Sequence, residues 1–345
     1  MKKTLAILLS LLIAAVVPAG CGSDPAPASD EGNEKLSVVA TIFPQYDWIK
    51  EILGDKADSV EPTLLLDNGV DLHSYKPTAD DIVKISNCDM FVYVGGESDE
   101  WVEDVLKTAN NKKLIAVNLL EVLGDKVKEE EVKEGMEAEH DHEHEEGEEH
   151  EEGEEHEEGE EHEEEGPEYD EHVWLSLKHA AFLCEHIAGK LGQLDPANAA
   201  VYASNAAAYT AKLAALDGEY AAAVNAAPVR TLLFADRFPF RYLVDDYGLD
   251  YYAAFVGCSA ESEASFETIM FLAGKVDELG LTAILQIESA DGSIARTVKE
   301  STKTKDQRVL TLDSLQSVTS ASAAGGTTYL SVMKENLNVL KDALK

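Results

Sequence analysis

The sequence predicts an α/β protein of two doubly wound lobes, each built on a mainly parallel four-stranded sheet and joined by one long helix. Two sets of four short β-rich runs alternate with helical patterns, one set in each half of the chain. Such alternation implies parallel sheets with helices on both faces. Between the sets runs one helical stripe of unusual length. The chain's 345 residues, 45% of them apolar, are enough for two domains with sizeable cores.

The first twenty residues read as a targeting segment. Lys2 and Lys3 precede an apolar run from Leu5 to Val17, which is too short to span a bilayer as a mature helix. Ala19-Gly20-Cys21 follows, as in a bacterial lipoprotein signal whose cysteine is acylated, although Pro18 departs from the usual leucine. Residues 21–35, rich in Pro, Ala, Ser and Asp, then form a lipid-anchored flexible tether.

The amino-terminal lobe spans 36–191, with strands expected at Leu36–Ile42, Thr63–Leu66, Asp89–Val94 and Lys113–Val117. Helices are expected after Lys76-Pro77-Thr78, over Trp101–Ala109 and from Trp174 to Leu191. A spine helix over 195–227 begins with Asp195 as N-cap and Pro196 at the first position. Tyr202, Tyr209, Leu213, Leu216, Tyr220 and Val224 recur there at helical spacing on one face. The carboxyl-terminal lobe, 229–345, carries strand candidates Thr231–Ala235, Asp250–Phe255, Thr282–Ile287 and Arg308–Leu312. Helical patterns near Ser265–Leu279, Gly292–Ser301 and Thr328–Leu344 alternate with them.

The formal charge of −39 is concentrated. Residues 128–170 hold 25 acids and two lysines, net −23 in 43 residues, which leaves −16 for the other 302. This charge argues against nucleic acid, whose phosphates need a basic patch. Dense like charge predicts a solvated, mobile loop. Inside it stand His140, His142, His144, His150, His156 and His162, the last four repeating every six residues. Neutral imidazole binds Zn²⁺ well, so the tract reads as an auxiliary metal-collecting loop.

Cys88, Cys184 and Cys258 remain after Cys21, with no CxxC pair among them, and their disulfide state is open. Cys184 falls in a helical pattern and reads as a small buried apolar group.

In doubly wound sheets, ligands bind beyond the carboxyl ends of the strands. His73 follows the second strand candidate, and Asp236 and Glu288 directly follow Thr231–Ala235 and Thr282–Ile287. His172 begins the first helix expected after the acidic tract. Two imidazoles and two carboxylates would form a four-ligand site suited to zinc, with manganese as the harder alternative. Each residue also has a plainer reading: Asp236 as a helix cap, Glu288 beside a helix N-terminus, the histidines as surface groups.

Two segments sharpen the choice. Gly69 to Thr78 and Asp170 to Ser176 resemble the signature segments of the zinc- and manganese-uptake solute-binding lipoproteins of bacterial ABC importers. The first carries a metal histidine in Gly-x-x-x-His-x-(Tyr/Phe)-x-Pro-(Thr/Ser), the second in Asp-x-His-Val-Trp-Leu-(Ser/Asp). Ile287-Glu288-Ser289-Ala290 is similar to the family's late glutamate, and a His/acid-rich loop before the second histidine is typical of its zinc branch. At the third position, counting back from Tyr247-Gly248, this chain has Arg237, which cannot ligate a metal. Asp236 is the nearest replacement and Cys258 a substitute. The aspartate of manganese binders is replaced around Thr327, which favours zinc.

The resemblance implies a non-enzymatic, extracytoplasmic, membrane-anchored monomer that captures Zn²⁺ between its lobes and delivers it to an ABC permease. The alternatives are a manganese or iron carrier, an adhesin of the same fold that binds a host protein, and a zinc-dependent hydrolase. HExxH and Gly-x-Ser-x-Gly are both absent from the sequence.

Overall fold

A computed structural model describes residues 35–137, 168–259 and 263–345. Cys21, the signal and most of the tether lie outside these residues, as do His140, His142, His144, His150, His156 and His162. No helix among the described residues is long and apolar enough to cross a membrane.

The amino-terminal lobe runs β1 (Leu36–Ala40), α1 (Phe43–Leu53), β2 (Val60–Leu64), α2 (Ala79–Asn87), β3 (Met90–Tyr93), α3 (Trp101–Thr108), β4 (Ile115–Asn118) and α4 (Leu119–Leu123). Its strands are all parallel in the order β2-β1-β3-β4. Pro62, which cannot donate to a ladder, falls on the edge strand β2, where it is tolerated.

After the acidic tract come α5 (Leu177–Leu194) and α6 (Ala199–Ala226). The carboxyl-terminal lobe then runs β5 (Thr231–Phe238), α7 (Arg241–Tyr247), β6 (Asp250–Val256), α8 (Phe266–Leu279), β7 (Ala283–Gln286), α9 (Ser293–Ser301), β8 (Arg308–Thr311), α10 (Ser320–Ala324) and α11 (Tyr329–Ala343). Its parallel order β6-β5-β7-β8 repeats the connectivity of the first sheet. In both sheets the chain steps to one side of the first strand and then to the other, which opens a crevice at the carboxyl ends.

The spine, α6, has 28 residues, about 42 Å. It starts later than the sequence predicts because Asp195–Asn198 closes a turn first, with Asn198 N donating to Asp195 O at 3.1 Å. Asp195 accepts instead from Tyr202 Oη and Asn198 Nδ2, both at 2.7 Å. The predicted stripe is buried in full: Tyr202, Tyr209, Leu213, Leu216, Tyr220 and Val224 all face the core. Tyr220 Oη donates to Met333 O at 2.6 Å, tying the spine to α11. Truncating such a fully enclosed side chain costs both transfer energy and a cavity. Leu213→Ala is expected to lower unfolding free energy by about 2–5 kcal/mol, read as a lower urea midpoint.

The acidic tract differs from the expected solvated loop at both ends. Glu129 and Tyr169 form an antiparallel bridge, and Glu137 pairs in parallel with Phe255 on the open edge of β6. Lys133 Nζ reaches Asp250 Oδ1 at 2.6 Å, and Arg241 pairs with Glu131. Like charges pack here because the carboxyl-terminal lobe supplies the arginine and the tract itself supplies Lys133. Charge counted along the sequence cannot reveal partners brought from elsewhere in the fold.

The three described cysteines are free thiols, with Cys88 and Cys184 buried.

Candidate metal centre

His73 leaves β2 on a single 3₁₀ turn, Leu72–Ser74. Asp71 caps that turn by accepting from His73 N at 3.0 Å. The ring is held at its far side by Ser98 Oγ, 2.8 Å from His73 Nδ1. His172 stands just before a second 3₁₀ turn, Val173–Leu175, and not on the first turn of the predicted helix. Ser176 caps α5 by accepting from His179 N at 3.1 Å. Asp170 Oδ1 takes both the His172 amide, at 2.9 Å, and His172 Nδ1, at 3.1 Å. A carboxylate behind a ligand imidazole fixes its tautomer and orientation.

The two rings present their free nitrogens to each other, with His73 Nε2 3.1 Å from His172 Nε2. Two nitrogens bound to one tetrahedral zinc at ~2.0–2.1 Å lie about 3.3 Å apart, so the pair is already near bridging distance. Cys258, on the turn after β6, completes the group: ligand atoms of His73, His172 and Cys258 all lie within 4.8 Å of one another. Gly257 lets that turn approach. A Cβ there would stand 2.9 Å from Phe238 O and 3.1 Å from His172 Cε1.

The predicted carboxylates lie elsewhere in this structure. Asp236 does not follow β5 but is one of its last three residues, where the pairing with β6 shifts register between Phe234 and Arg237. Its carboxylate accepts from Arg237 N at 2.8 Å and Ile287 N at 3.1 Å. Glu288 accepts from Ser314 N at 2.8 Å, Ser314 Oγ at 2.9 Å and Ser317 N at 3.3 Å. Backbone amides claim both groups, joined at Glu288 by the Ser314 hydroxyl, and neither carboxylate joins the three-residue cluster. His179 is also apart, packed on the Tyr242 ring at 5.1 Å.

Sequence reasoning missed the supporting carboxylates. Glu130, hidden inside the acidic tract, accepts from Cys258 N at 2.9 Å. Glu171 accepts from Ser98 N at 2.9 Å, and its other oxygen lies 3.6 Å from His73 Nδ1. With Glu97 and Glu168 they line a cavity of about 420 Å³ that leads to His73 and Cys258.

Burial pushes Glu171 up to about 7 and raises Glu130. Burial and the nearby positive His172 hold His73 down at about 3. His172 is also penalised by burial, but the Asp170 carboxylate outweighs this and raises it above its ordinary 6.5. Burial and neighbouring carboxylates drive the Cys258 thiol well above 9. Of the two rings His172 therefore holds a proton more readily, and in its protonated form Nε2–H would donate to His73 Nε2.

Two α/β lobes bring two imidazoles and a thiol together near their strand ends, a donor set that could hold a soft or borderline metal ion. The family profile described as "ZnuA: Zinc-uptake complex component A periplasmic" matches residues 38–343. The chain belongs to that family.

It is 33% identical over 339 residues to the zinc-binding lipoprotein AdcA of Streptococcus pneumoniae, covering 98% of this chain and 60% of the relative. The chain thus spans less than two thirds of the AdcA relatives it matches. It is 30% identical to the high-affinity zinc uptake system protein ZnuA of Bacillus subtilis, covering 94% of this chain and 93% of that protein. The Zn(II)-bound ZnuA-like domain of Streptococcus pneumoniae AdcA superposes with a TM-score of 0.67 at 29% identity, covering 90% of this chain and 99% of the domain.

Proposed function

We propose that this chain captures Zn²⁺ between its lobes and delivers it to an ABC-type permease, acting as a carrier and not an enzyme. The observation that carries this reading is the cluster of His73, His172 and Cys258, contributed from separate parts of the fold to one point. Two imidazoles and a thiolate suit zinc better than manganese, which favours oxygen ligands. A fourth ligand completes the tetrahedron, and Glu288, Asp236 and a water are its candidates. Membership of a zinc-uptake family supports delivery to a permease. Cys21 is proposed as the lipid anchor and the histidines of the acidic tract as an auxiliary collecting segment.

The test is zinc content after purification from zinc-supplemented medium, using protein lacking residues 138–167 so that the tract cannot hold metal. One equivalent is expected, undisplaced by excess Mn²⁺, and His73→Ala in the same background is expected to carry essentially none. If His73→Ala retained a full equivalent, the cleft reading would be wrong.

A further inference from the structure

Arg237, which falls on the family's third position by the count back from Tyr247-Gly248, makes an arrangement of its own with its side chain. Arg237 Nη2 donates to Asp71 Oδ2 at 2.7 Å, joining β5 of one lobe to the loop after β2 of the other. The two side chains are 14% and 15% exposed, so the pair is largely shielded from solvent. Arg237 Nη1 donates to Ser259 O at 3.2 Å, next to Cys258. The second Asp71 oxygen, Oδ1, accepts from His73 N at 3.0 Å. One connected path therefore runs from His73 through Asp71 and Arg237 to the residue after Cys258. At its centre, the register shift in β5 and the Asp236 carboxylate on Arg237 N fix the backbone from which Arg237 projects.

We propose that the Asp71–Arg237 pair is a positioning bridge that sets the separation of His73 and Cys258 across the cleft. This rests on the carrier reading above and adds residues that touch no metal. Attraction for the cargo does not explain the arrangement. A guanidinium beside the cluster opposes a cation there, and the same positive charge contributes to holding the His73 pKa down. What Arg237 supplies is geometry: a planar fork that takes a carboxylate with one arm and a carbonyl with the other.

The two effects have opposite signs in one pair of variants, which makes the bridge testable. Zn²⁺ affinity and dissociation rate are measured for wild type, Arg237→Gln, Asp71→Asn and the double variant, with thermal unfolding confirming that each is folded. If charge alone mattered, Arg237→Gln would tighten zinc binding and Asp71→Asn would loosen it. The bridge predicts that both single variants lose affinity, by about 10–100-fold, as supporting residues behind metal ligands do. The loss should appear as faster dissociation, and the double variant should be no weaker than the weaker single one, because either change already breaks the bridge. Unchanged or tighter binding by folded Arg237→Gln, or fully additive losses, would overturn the bridge and leave the carrier reading intact. Wild-type protein that holds no zinc would overturn both.

Discussion

Replacing Cys258 with serine lowers zinc affinity by about two to three orders of magnitude while leaving the fold intact. Structural zinc sites bind with roughly 10–16 kcal/mol in total, or about 2.5–4 kcal/mol for each of four ligands. A hydroxyl does not replace a thiolate, because it stays protonated near neutral pH and is a hard donor. The substitution is nearly isosteric, and the turn that carries the residue is held through its backbone by Glu130, 2.9 Å from Cys258 N. Direct evidence comes from Co²⁺ in place of Zn²⁺. Wild type should show a sulfur-to-cobalt charge-transfer band in the near ultraviolet, and Cys258→Ser should lack it. A wild-type cobalt spectrum without that band would remove Cys258 from the ligand set whatever the affinities show.

Cys258 also marks where the sequence stops being readable. The two histidines stand out because they lie in short local segments whose residues act on each other: Asp71 caps His73, and Asp170 orients His172 from two positions away. The same locality makes the lobes legible, since alternating strands and helices, the Tyr/Leu stripe of α6 and the cap residues of α2 and α8 need no distant partner. The third member of the cluster depends on long-range geometry. Asp236 was the nearer candidate in sequence, but the register shift in β5 turns its carboxylate onto the amides of Arg237 and Ile287. Cys258, 22 residues later, arrives beside His172 through the parallel pairing of β6 with β5 and the room left by Gly257. Glu130 was invisible for another reason. One acid among 25 in the tract carries no individual signal, and only the docking of that stretch on the carboxyl-terminal lobe singles it out.

That docking also divides the chain's charge by role. Glu131 and Glu137 serve contacts along the carboxyl-terminal lobe, through the Arg241 pair and the edge of β6, while Glu129 bridges to Tyr169 at the other end of the tract. Glu130, Asp170 and Glu171 instead face the cluster, where each raises the thiol pKa of Cys258. Carboxylates that penalise an isolated thiolate favour a thiolate bound to a divalent cation, because the cation reverses the sign of the local charge. The acidic residues nearest the cleft thus disfavour the empty, ionised site and favour the loaded one.

Zinc affinity should therefore rise steeply with pH, by at least about three orders of magnitude between pH 5 and 8. Binding requires a thiolate and neutral imidazoles, so each proton displaced contributes about one order of magnitude per pH unit. The Cys258 thiol, held well above 9, carries its proton throughout this range and supplies the first. His172 supplies the second. Its pKa is raised above the ordinary 6.5, so the competing proton is held to higher pH than on a free imidazole and is lost as pH climbs through that raised value. His73, at about 3, is neutral across the whole range and contributes nothing to the slope. Glu171 adds in the same direction: below about 7 it becomes protonated and withdraws a negative charge from beside the cation. The slope should accordingly be near one above the His172 pKa and approach two below it. A competition titration against a chelator of known pH dependence measures it. Asp170→Asn separates the terms, since losing that carboxylate lowers the His172 pKa and moves the steep region to lower pH. A wild-type slope near zero from pH 5 to 8 would mean that neither the thiol nor His172 binds the metal.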